Sequence, residues 1–233
     1  LKRYSMIGDG LSHVGFGALA IASALGLAPL AVAVPVVVLA AVLLLQLSQN
    51  SKIKGDAAIA MISSSALAIG VVVISVTTGM NTEVSSYMFG SVLSLSRGDA
   101  VLSVILSIAV LLAFTLLYPR IFAVTFDETF SRATGVRTDA YNTLIAVLTA
   151  VTVVLGMRMM GALLISSLII FPALSAMRVC KSFRAVVLCS AAISVVCFIL
   201  GVLASYFWET PTGASVVIAD LICFGLFSLL GKK

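Results

Sequence analysis

Apolar residues in this chain come in long blocks separated by short polar breaks. Eight blocks are legible, at approximately 7–27, 30–48, 57–78, 99–118, 141–157, 161–177, 185–207 and 214–230. About 20 mostly apolar residues in a helix cross a hydrocarbon layer roughly 30 Å thick. The pattern therefore predicts an all-α, polytopic membrane protein with about eight transmembrane helices, built as a single transmembrane domain over residues 1–233. Ala28-Pro29 makes a tight turn between the first two segments, and Ser48–Gly55 joins the second to the third. Residues 79–98 are too short and too broken to span, and a short surface helix is expected there. The longest polar connection is 119–140.

Composition sharpens this picture. Of 233 residues, 61% are hydrophobic and 10% charged, with a mean hydropathy of +1.23. Soluble domains are about 45–50% apolar and about 25% charged. A water-soluble enzyme, a disordered chain and a nucleic-acid binder are thereby excluded. The net charge of +5 instead records topology. With the first residues in the cytoplasm and eight spans, twelve of the 14 basic residues fall inside, and only Arg97 and Arg158 fall outside. One missed span would flip every later loop, so this asymmetry supports both the count and the orientation. It also places 119–140 in the cytoplasm. The four cysteines, Cys180, Cys189, Cys197 and Cys223, lie in or beside apolar runs without a CxxC pair and read as buried small residues. Gly8, Gly10, Gly15, Gly17, Gly26, Gly156, Gly161 and Gly225 sit in or at the ends of helices, and most of them read as close-packing positions.

Ionisable residues inside spans are costly, and few are present. Asp9 and His13 in the first span are spaced i, i+4, one turn apart on one helical face. A carboxylate with an imidazole suits a divalent transition metal. Two ligands from one chain are an incomplete site, which a twofold dimer would complete with two Asp and two His. An intrahelical Asp–His hydrogen bond and a proton relay are the competing readings. Asp220, in the last span, reads as an acid buried against a hydroxyl. Asp56 and Asp99 stand at helix starts, where an acid is an ordinary cap. In the 119–140 connection, Asp127-Glu128 is placed to begin a short helix and Gly135 to end it. Such a helix would dock a soluble motor or serve as a plain connector. The outer loops, 79–98 and Phe207–Gly213, are candidates for receiving a delivery protein, with Tyr206 and Trp208 also suited to an interfacial aromatic belt.

Four segments carry a resemblance. Lys2–His13 resembles the R-R-M-S-x-x-G-D-x-L-S/A-H opening of the membrane subunits of bacterial zinc and manganese ABC importers. Tyr87–Leu93 is similar to that family's Y-L-F-G-x-L-L, Gly161–Ala173 to its G-A-L-L-I-x-S-L-L-I-I-P-A, and Thr210–Val217 to its T-P-A-G-P-S-V-V. The matches keep the family's order. The resemblance implies a type II ABC importer-like permease in the bacterial plasma membrane. It implies a second copy of the chain, a cytoplasmic ABC ATPase dimer and an extracellular or periplasmic metal-binding protein as partners, with no nucleic acid. No permanently bound cofactor is implied; the cargo is zinc, with manganese or iron as alternatives. Zinc is preferred because the opening and the T-P-x-G segment look closest to the zinc members. Asp9 and His13 are implied to contact the metal. The segment carrying Asp127, Glu128, Arg132 and Gly135 is implied to couple to the ATPase. The family usually has one more apolar segment before the basic pair, so an N-terminal helix is expected to be missing here. The chain has no G-x-x-x-x-G-K-[ST] phosphate loop, so it is a transporter subunit and not the ATPase. A gradient-driven transporter or channel is the alternative of another class, with Asp9 and Asp220 as its only candidate intramembrane carboxylates. An intramembrane metalloprotease is disfavoured by a single histidine.

Overall fold

The computed structural model describes residues 4–50, 55–77 and 97–230. The described elements are all helices. They are α1 (Tyr4–Ala24), α2 (Pro29–Asn50), α3 (Gly55–Thr77), α4 (Arg97–Phe126), α5 (Glu128–Ala133), α6 (Thr138–Met160), α7 (Ala162–Val179), α8 (Phe183–Trp208) and α9 (Thr212–Leu230). All but the six-residue α5 coincide with the eight apolar segments. Among the described residues, seven helices are long and apolar enough to cross a membrane. α1 is not one of them, because Asp9, His13 and its four glycines dilute its apolar content. The expected short helix over 79–98 lies outside the described residues, except that Arg97 and Gly98 open α4.

One boundary differs from expectation. The polar connection begins at Asp127 rather than at 119, because α4 continues through Pro119 for two further turns. Proline removes one backbone donor, and helices at membrane depth tolerate that loss where neighbouring groups re-satisfy the freed carbonyl. Pro35 and Pro172 likewise sit inside α2 and α7. The α1–α2 turn matches expectation in kind. Gly26 adopts φ 66° and donates to Ser23 O at 3.1 Å, while Leu27 N donates to Ala22 O at 3.0 Å. That left-handed helix stop favours glycine, and Pro29 then opens the next helix without wasting a donor.

By compactness the described helices fall into two units. The first holds α1 to α5 and α6 as far as Gly156; the second begins at Met157 and holds α7 to α9. In the first unit α1 packs most extensively on α3 and then on α2. Glycines make the α1–α3 approach possible. A Cβ on Gly17 would stand 2.7 Å from Ala66 O, and one on Gly70 would stand 2.8 Å from the Phe16 ring. Ile7, Leu11, Phe16 and Leu19 are fully buried in that packing. In the second unit α9 packs on both α7 and α8. Gly201 of α8 lies directly against the Val216 backbone of α9, and Ala176, Ile193 and Cys197 form the buried centre. Cys189 and Cys223 pack against that centre, and all four cysteines are free thiols.

A single residue joins α6 to α7. Gly161 takes φ 90° and ψ 157°, and its N–H donates to Met157 O at 2.8 Å. A side chain at that φ would be strained, which gives the glycine opening the G-A-L-L-I segment a conformational role rather than a packing one.

Candidate functional site

From Ile7 to Ala20, α1 is buried at every position except two, and those two are Asp9 and His13. Their spacing puts both on the narrow strip of α1 that its neighbours leave partly open. Ser12 Oγ donates to the Asp9 carbonyl at 2.7 Å, the usual local bond of a helical serine. Among the described residues the Asp9 carboxylate and His13 imidazole make no hydrogen bond to each other, and no group of three or more metal-binding side chains occurs. One copy of the chain thus offers two donors, a carboxylate oxygen and an imidazole nitrogen, side by side on an otherwise apolar helix.

Asp220 is buried at 1% exposure, and its Oδ2 accepts from Ser167 Oγ at 2.6 Å. This bond ties α9 to α7, as expected of an acid buried against a hydroxyl. Its other oxygen, Oδ1, has no hydrogen-bond partner among the described residues, and the Cys197 thiol lies beside the carboxyl.

The connector after α4 is built as its residues foretell. Asp127 is the N-cap of α5, with extended backbone and Oδ1 accepting from Phe130 N at 2.8 Å. Gly135, at φ 85°, ends the helix: its N–H donates to Arg132 O at 3.1 Å, and Val136 N donates to Ser131 O at 3.0 Å. Arg132 is the strut of the segment. Its Nη2 lies 2.9 Å from Asp139 Oδ1 and 3.6 Å from Glu128 Oε1, and its Nε donates to Thr138 Oγ1 at 3.2 Å. Glu128 Oε1 also accepts from Asn142 Nδ2 at 3.2 Å, so α5 is fastened to the start of α6. These polar residues shape the connector. What it shows to solvent includes Phe126 and Phe130, 82% and 65% exposed, neither of which the sequence reading singled out. Phe126 stacks on Phe122 at a centroid distance of 5.7 Å. The one available signal was an aromatic pair bracketing Asp127-Glu128-Thr129 within a polar stretch.

At the α8–α9 turn, Glu209 adopts φ 50° and Thr210 N donates to Ser205 O at 3.2 Å. Ser205 Oγ donates to Thr210 O at 2.5 Å, and Thr210 Oγ1 and Ser215 Oγ are 2.7 Å apart. The T-P-T-G segment is therefore a hydroxyl-bonded turn. Tyr206, Phe207 and Trp208 stand exposed before it, as an interfacial aromatic belt requires. The other outer loop, with Tyr87–Leu93, lies outside the described residues.

Seven apolar spans, glycine-packed helices and a polar pair on a helix otherwise buried from Ile7 to Ala20 define a polytopic membrane permease. The family model described as "ABC 3 transport family" matches residues 1–231, and the chain belongs to that family. It is similar to the manganese import system permease protein ScaB of Streptococcus gordonii, at 29% identity over 100% of this chain and 84% of that protein. It is also similar to the high-affinity zinc uptake system membrane protein ZnuB of Haemophilus influenzae, at 27% identity over 97% and 86%. The solved structure of PsaBC from Streptococcus pneumoniae in complex with Fab matches with a TM-score of 0.84 and 28% identity, covering 96% of this chain and 80% of that one. The chain is thus a multi-pass plasma-membrane transporter subunit and not an enzyme; ATP hydrolysis belongs to a separate partner. Relatives named for manganese, zinc and iron all align with it, so zinc is not favoured over manganese.

Proposed function

We propose that this chain is the membrane subunit of an ATP-driven importer of a divalent transition metal, and that Asp9 and His13 contact the ion in transit. The observation that carries this reading is the pair's position. They are the two partly open sites on a helix otherwise buried from Ile7 to Ala20. A hydrated divalent ion cannot enter hydrocarbon, and a carboxylate with an imidazole replaces part of its water shell. Two donors hold an ion loosely, and a second copy of the chain across a twofold axis doubles them to a four-donor set. Release on the far side then requires only that the copies separate. The eighth span of the topology is α1 itself, with its polar pair facing the path. Zinc and manganese are both compatible with this donor set.

The test is transport. The permease, co-purified with its ATPase and sealed in vesicles, is expected to take up zinc or manganese only with ATP, each ion competing with the other. Uptake that continues without ATP would instead favour a gradient-driven carrier.

The connector is the ATPase-docking element in this reading. Asp127, Glu128, Arg132 and Gly135 hold its shape, and Phe130 supplies contact area. Exposed aromatics are frequent anchors of protein interfaces, and truncating one costs about 2 kcal/mol or more of binding. Phe130→Ala should therefore weaken ATPase co-purification by roughly thirtyfold while leaving the yield of folded permease unchanged. Charge reversal at Asp127 and Glu128 also loosens the complex. It is the less clean experiment, because Asp127 caps α5 and Glu128 braces α6. Undiminished co-purification of the Phe130→Ala protein would count against docking at this face.

A further inference from the structure

α4 carries no charged side chain between Asp99 and Arg120, and α6 carries none between Asp139 and Arg158. Each stretch is about as long as a hydrocarbon layer is thick. Arg120 near the end of α4 and Arg137 just before α6 therefore stand at the same edge of that layer, at the level of the lipid phosphates. Between them is a cleft of about 560 Å³, lined by Leu117, Arg120, Val136, Arg137, Tyr141 and Leu144 among others. Its two ends differ in chemistry. Leu117 precedes Arg120 on α4 and Leu144 follows Arg137 on α6, so the apolar wall lies on the membrane side and the guanidiniums lie at the mouth.

The charge at that mouth is uncompensated. Of the connector's acids, Glu128 and Asp139 both pair with Arg132, and Asp127 caps α5. Arg120 Nη1 donates to Tyr141 Oη at 2.8 Å, which fixes one guanidinium beside the cleft without neutralising it. Among the described residues Arg137 makes no side-chain hydrogen bond. Two cations over an apolar slot at the hydrocarbon edge match the headgroup and acyl chain of an anionic lipid. Phe126 stands between one and two turns beyond Arg120 on α4, and Gly135 of the connector also lines the cleft, so the site adjoins the proposed docking element.

We infer that the cleft between the end of α4 and the start of α6 is a binding site for an anionic phospholipid, with Arg120 and Arg137 on its phosphate and Leu117 and Leu144 against its acyl chain. A basic residue near an anionic headgroup strengthens association roughly fivefold. The test is native mass spectrometry of the detergent-purified full chain, incubated with phosphatidylglycerol or phosphatidylcholine. Wild type is expected to retain phosphatidylglycerol preferentially. Arg137→Gln should reduce that preference roughly fivefold, and Arg120→Gln with Arg137→Gln should remove it. Arg137→Gln disturbs no side-chain bond and keeps the test independent of folding. Equal retention of the two lipids by wild type would overturn the assignment, as would an unchanged preference in both variants. Displacement of the lipid by millimolar inorganic phosphate would reassign the cleft to free phosphate. Loss of ATPase co-purification in Arg137→Gln with lipid preference intact would reassign it to a protein contact. Either result overturns the lipid site.

Discussion

Replacing His13 with alanine should abolish metal uptake while the permease still inserts, folds and binds its ATPase. The ring is the chain's single imidazole and sits at a partly open position, so its removal leaves no buried cavity and costs little packing. In the proposed site, what is lost is one of two donors per copy, two of four if two copies face each other across a twofold axis. Changes one shell further out from a metal lower affinity or activity by about 10–100-fold, and removal of a direct ligand costs no less. Asp9→Ala should behave alike. Asp9→Asn tests charge separately, because the amide keeps an oxygen donor and loses the negative charge that offsets ion desolvation. The measurement is initial-rate uptake in vesicles alongside ATPase co-purification and a thermal melt. Wild-type uptake in His13→Ala would remove the residue from the path. A melt lowered together with uptake would make it a packing residue instead.

The contrast between that pair and Asp220 shows what the residue order carries and what it does not. Spacing alone places Asp9 and His13 on one face, because i, i+4 is a local relation. Whether that face is covered depends on α2 and α3, which no local pattern reveals. For Asp220 the kind of partner, a hydroxyl, follows from the cost of an unpaired acid in an apolar span; its identity, Ser167, required the α7–α9 contact. The connector divides in the same way. Its N-cap and glycine stop are local signals and are found at Asp127 and Gly135. It starts at Asp127 rather than at Pro119 because proline ends helices in water more reliably than in lipid. The exposure of Phe126 and Phe130 is not legible in the sequence, because in a membrane chain an aromatic beside an apolar run is ordinarily a lipid-facing or buried residue. The glycines divide once more. Gly17 was legible as a packing residue, whereas Gly70 and Gly201 are recognisable only from the helix each one meets, and Gly225 meets nothing within 4 Å.

That last difference gives a prediction of large effect. Gly17→Ala and Gly201→Ala should each destabilise the permease by about 1–3 kcal/mol, and leucine at either position should prevent accumulation of folded protein. The reason is the nature of the obstructing atoms. At Gly17 a new Cβ would meet the Ala66 carbonyl, and at Gly201 the Val216 backbone, and main chain cannot rotate aside as a side-chain tip can. Relief requires moving a whole helix. For Gly17 that helix is α3, so the strip bearing Asp9 and His13 shifts with the packing, and uptake should fall even in the fraction that folds. Gly225→Ala is the matched control. It lies inside α9 with open space around it, so alanine there should be neutral or stabilise by about 0.5–1 kcal/mol through its better helix propensity. Thermal melts of the three alanine variants in one detergent separate these effects. Equal melting temperatures across the set would mean that close approach at Gly17 and Gly201 does not limit stability, and would remove the packing basis for how α1 is held.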